Sequence, residues 1–80
     1  AYLKRGSVLL AKMHLNKAVR REPRKALFHY HLGVALRESE DMPGSEKALQ
    51  EAVRLGLDGK ELADAEKMLQ EMETKGGAQG

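Results

Sequence analysis

Residues 15–20 read Leu15-Asn16-Lys17-Ala18-Val19-Arg20, and 34 positions on, residues 49–54 read Leu49-Gln50-Glu51-Ala52-Val53-Arg54. The leucine, alanine, valine and arginine coincide. The same shift places Ala1 on Ala35 and pairs Tyr2 with Leu36, Val8 with Met42 and Ala11 with Ser45, all mild changes. A fixed period of this length marks a helical repeat array, in which each hairpin buries its apolar face against its neighbours. An array of this kind has no buried catalytic pocket of its own. It offers a surface, so the functional question is what that surface holds.

The spacing around the period predicts four helices. Ser7–Arg21 has Ser7 as its N-cap and Val8, Ala11, Leu15, Ala18 and Val19 on one face, and Pro23 ends it. Arg24–Ser39 follows, with Leu27, Phe28, Leu32, Ala35 and Leu36 as its core stripe. Gly33 sits inside that segment. A mid-helix glycine costs about 1 kcal/mol relative to alanine, which points to close approach of a neighbouring helix. Asp41 is the expected N-cap of the third helix, with Pro43 in its first turn and Gly56 as its left-handed stop after Leu55. A fourth helix opens at Asp58 or Gly59 and runs to about Thr74, with Leu62, Ala65, Met68, Leu69 and Met72 inward and a charged opposite face. The glycine-rich residues 75–80 read as a disordered tail. There is no strand pattern.

Eighty residues form one small domain, which buries only roughly 60–65% of its unfolded surface. With no cysteine there is no disulfide framework and no thiolate metal site. Fourteen basic residues against twelve acidic ones, net +2, suit a mixed helical surface rather than a nucleic-acid or membrane binder. No apolar run approaches the ~20 residues needed to span a bilayer, and the expected setting is soluble, with the cytoplasm favoured. The chain opens in mid-pattern without Met, as a piece of a longer protein would.

These residues resemble the tetratricopeptide repeat, a 34-residue unit of two antiparallel helices. His29-x2-Leu32-Gly33-x2-Leu36 covers the first-helix pattern, and Ser45-x3-Leu49 with Ala52 the second. An earlier unit shows Ala11-x3-Leu15, Ala18 and Pro23, with Tyr2 and Gly6 before it. The departures are His29 for Trp, Glu40 for the turn glycine, Ser45 for Ala and Leu57 for the closing Pro. The resemblance implies an all-α fold of antiparallel hairpins stacked as a short superhelix. Within a domain over 1–74, residues 1–23 form a partial repeat, 24–57 a complete repeat and 58–74 a capping helix. Because the partial repeat lacks its first helix, the Ser7–Arg21 face is expected to lack part of its cover, which predicts self-association or a cut array.

The resemblance also implies a protein–protein interaction scaffold that holds a partner peptide or protein segment on its concave face. The corresponding positions are Leu27, Tyr30, Val34, Arg37 and Glu38, which share one helix face. Tyr30 and Val34 would give apolar contact, and Arg37 would pair with an acidic group. The alternative is a structural module that packs on itself, through Ser7–Arg21, or on upstream repeats. A clamp for a partner's terminal carboxylate finds His31 where the family uses Asn, and Glu38, Asp64 and Glu71 opposing Lys4 and Arg37.

Other constellations have plainer readings. His29 and His31, two apart, point about 200° from each other on a helix and cannot chelate one ion. Lys17, Arg20, Arg21, Arg24 and Lys25 cluster around Pro23, but Glu22 interrupts them and no aromatic platform accompanies them, so a solvated helix end outweighs phosphate binding. Met13, Met42, Met68 and Met72 read as gap-fillers of a loose core. No nucleophile is paired with a base and no glycine-rich phosphate loop follows a strand. Neither an enzyme nor a cofactor or metal site is expected.

Overall fold

The computed structural model describes the backbone of residues 5–79 and the side chains of residues 7–73. Four helices follow one another: α1 (Arg5–Arg21), α2 (Ala26–Glu38), α3 (Met42–Arg54) and α4 (Gly59–Gln79). No strand occurs among the described residues. α1 packs on α2, α2 on α3 and α3 on α4, and α4 also reaches back to α2. The fold is therefore all-α and built from helix hairpins. Of the expected first-helix remnant, Ala1 to Arg5, the first four residues lie outside the described residues, and Arg5 opens α1 instead.

Helix ends account for most differences from the sequence reading. Ser7 is inside α1, not its N-cap, because Arg5 and Gly6 already have helical geometry. α2 starts at Ala26 rather than Arg24. Pro23 and Arg24 form a turn closed by Lys25 N–H on the Glu22 carbonyl at 3.1 Å, and Lys25 caps α2 without a side-chain bond. α3 begins as expected: the Asp41 carboxylate accepts from Gly44 N–H at 3.1 Å, with Pro43 in the first turn. α4 continues past Thr74 to Gln79. No proline follows Thr74, and Gly76 and Gly77 weaken a helix without stopping it.

α2 and α3 end in the same device. Asp41 N–H bonds the Leu36 carbonyl (2.8 Å) and Glu40 N–H the Arg37 carbonyl (3.0 Å). Leu57 N–H bonds the Ala52 carbonyl (3.1 Å) and Gly56 N–H the Val53 carbonyl (3.0 Å). These are Schellman caps, which need a left-handed residue just past the helix. Gly56 supplies it after α3 at φ 100°, as expected, and after α2 Glu40 supplies it at φ 68°.

The core is made largely of small side chains. Leu49, Ala52 and Ala65 are fully buried, and Leu57 packs with them, so the residue standing for a closing proline serves as core. Tyr30, Leu62, Met68, Leu69 and Met72 pack around this cluster. Met13 and Met42 do not fill gaps; they are 59% and 40% exposed because their positions face away from α2 and from the core. Leu27, expected in the core stripe, is 46% exposed. His29 is buried instead, and its Nε2 lies 2.8 Å from the Pro23 carbonyl. A carbonyl cannot donate, so Nε2 carries the proton.

Gly33 has the packing reason expected of it. A Cβ placed there would stand 2.7 Å from Leu49 Cγ and Cδ2 and 3.3 Å from the Leu49 backbone nitrogen. Beside this contact the fully buried Ser45 hydroxyl donates to the Gly33 carbonyl at 2.7 Å. Gly33→Ala gains helix propensity but must push fully buried Leu49, so it is expected to destabilise by about 1–3 kcal/mol. Urea unfolding checks this: the midpoint falls with an unchanged slope, and a raised midpoint refutes the tight contact. Glu40→Gly removes a left-handed penalty of about 1–2 kcal/mol while adding unfolded-state freedom of about 0.4–1 kcal/mol. The expected result is a Tm higher by a few degrees in a thermal melt, and no rise would mean that Glu40 is unstrained.

Candidate docking face

The proposed docking positions lie along one side of α2, and the structure divides them. Leu27 and Glu38 are exposed, whereas Tyr30, Val34 and Arg37 are half-buried. Tyr30 packs against the core cluster and its hydroxyl points to Asp64 Oδ2 at 3.4 Å, which is long for an O–H···O bond. Its ring also meets the His31 ring edge-on, 5.2 Å between centroids. One helical stretch further on, Arg37 Nη2 donates to Glu71 Oε1 at 3.1 Å.

Both contacts join residues 34 apart in the chain. Tyr30 and Arg37 are seven apart on α2, and Asp64 and Glu71 are seven apart on α4. An equal advance on each helix, about 10 Å at 1.5 Å per residue, means that α2 and α4 run parallel. Asp64 and Glu71 of α4 thus border the α2 face that carries Tyr30 and Arg37.

Electrostatics along this seam are modest. The Arg37–Glu71 side chains are 41% and 47% exposed, so the pair contributes about 0.2–1 kcal/mol. Burial raises the Tyr30 phenol above its ordinary value, and the nearby Asp64 carboxylate, its hydrogen bond and then Glu61 add to the shift. On α3, Arg54 holds Glu51 below the usual carboxylate range, chiefly through its hydrogen bond. Because Arg37 is already paired with Glu71, an acidic group on a partner would have to displace that carboxylate, and a terminal-carboxylate clamp would meet the same competition.

The basic residues around Pro23 are all exposed, and the Lys25 ammonium stands 5.6 Å from the Phe28 ring centroid. Among the described residues no group of three or more His, Asp or Glu side chains could hold a metal ion. None of the described helices is long and apolar enough to cross a membrane. A second surface was not legible from the helix-face pattern: an open groove of about 590 Å³ between α3 and α4, where Val53 and Leu69 are flanked by Glu46, Glu66 and Glu73. No signal along a single helix finds it, since its residues come from two elements.

No protein-family model, curated protein or solved structure matches this chain.

The raised Tyr30 value generates a prediction. The folded state holds the phenolic proton more tightly than the unfolded chain, so this contribution to stability is complete below pH 10.0 and is lost as pH rises through the higher native value. In a Tyr2→Phe background, phenolate absorbance should titrate above 10.0, and adding Asp64→Asn should bring the midpoint down. A midpoint insensitive to Asp64→Asn would remove the carboxylate from the account.

Proposed function

We propose that the chain is a protein–protein interaction scaffold of the tetratricopeptide-like kind, docking a partner's peptide segment along the α2 face of Leu27, Tyr30, Val34, Arg37 and Glu38. The observation that carries this reading is the 46% exposure of Leu27 on the same face as half-buried Tyr30 and Val34. An apolar strip of this kind, anchored by an amphipathic tyrosine and rimmed by charge, is the usual make-up of a peptide contact. The parallel run of α2 and α4, one period apart, supports the repeat architecture on which it depends.

Tyr30 packs against the core, so truncating it confounds binding with folding. Leu27 is the cleaner probe. Peptide display against the full chain should enrich sequences whose binding falls at least about tenfold in Leu27→Asp, equal to 1.4 kcal/mol, while circular dichroism stays unchanged. Enriched peptides that bind Leu27→Asp as well as the wild type would refute this face as the docking surface.

A further inference from the structure

Two surfaces of opposite character remain at the two ends of the helix order. α1 packs on α2 alone among the described elements. Its outward side carries Leu9, Leu10 and Met13, which are 57%, 57% and 59% exposed. Lys17, Arg20 and Arg21 complete that side, all exposed, and no acidic residue occurs between Ser7 and Arg21. At the other end lies the α3–α4 groove, with apolar Val53 and Leu69 among Glu46, Glu66 and Glu73, against Lys67. An uncovered cluster of large apolar side chains on one helix of a small domain marks an interaction site.

We propose that α1 of one copy of this chain docks into the α3–α4 groove of a second copy. Leu9, Leu10 and Met13 cover Val53 and Leu69, and the basic end of α1 faces the glutamates of the groove. Charge selects this pairing. Two α1 helices face to face would bring cations together, and two grooves would bring glutamates together. Only α1 against the groove joins opposite signs, and complementarity of this kind suppresses wrong partners and fixes register. The interface is heterologous, since different patches meet. Each added copy leaves one α1 and one groove free, so assembly continues beyond a dimer unless the rotation closes a ring. None of these residues belongs to the α2 docking face, so this inference stands or falls apart from the peptide reading.

Sedimentation velocity on the full chain tests it with two variants of exposed residues. Leu9→Asp/Met13→Asp disables α1, and Glu66→Lys/Glu73→Lys disables the groove. The wild type should grow in mass with concentration and lose mass as salt screens the charges. Each variant alone should sediment as a monomer. Their mixture should form a heterodimer that grows no further, because one working α1 and one working groove remain between them. Far-UV circular dichroism confirms that both variants are folded, and Leu10→Glu replaces the α1 variant if it is not. A wild type that stays monomeric at every concentration overturns the proposal. So does a groove variant that assembles as the wild type does, which would mean α1 pairs with α1, and so does a mixture that remains monomeric.

Discussion

At Gly33, α2 and α3 approach so closely that a methyl group would lie 2.7 Å from the Leu49 side chain. The rest of the fold depends on that spacing. It brings Leu49 and Ala52 of α3 to where Leu57 and Ala65 can close over them, and it brings Ser45 within 2.7 Å of the Gly33 carbonyl. Burying Leu49 contributes about 1.5–3 kcal/mol, whereas the Ser45 hydrogen bond contributes about 0.5–1.5 kcal/mol net. Apolar contact therefore dominates, and the hydroxyl ensures that a buried polar group is satisfied. Leucine fits here because the residue facing it across the contact is glycine.

Around this core the polar contacts are weak and peripheral. Arg37–Glu71 and Arg54–Glu51 sit at the surface, where ion pairs contribute little. The Tyr30–Asp64 and Arg37–Glu71 contacts mark α2 and α4 as parallel, with α4 lying along the Tyr30 and Arg37 edge of the α2 face. The same arrangement leaves α1 with one covered side and opens the groove behind α3 and α4. Peptide docking and self-assembly would use different surfaces of one small stack, and neither would require the core to move.

Much of this was legible along the chain. The Pro23 stop, the Asp41 cap, the Gly56 left-handed end and the Gly33 close approach are local consequences of residue chemistry, and the structure has each of them. Other features were not. Helical spacing puts Leu27 with Phe28 and Leu32, yet which edge of that stripe is covered depends on where α1, α3 and α4 lie. Met13 and Met42 look like core by composition and are exposed for the same reason. At Glu40 a glycine is the ordinary choice, and the left-handed geometry persists without it because the two cap hydrogen bonds hold it there.

Sequence alone determined that the chain is helical, where three of its turns fall, and that a glycine marks the tightest helix contact. These follow from backbone stereochemistry and apolar periodicity, which act within a few residues. The tertiary structure alone decided which faces are covered, that Tyr30 and Arg37 meet Asp64 and Glu71, and that acidic residues of α3 and α4 converge on an apolar groove. Those outcomes depend on the relative placement of helices. That placement is set by side chains interdigitating across elements far apart in the chain, and no pattern within one helix encodes it.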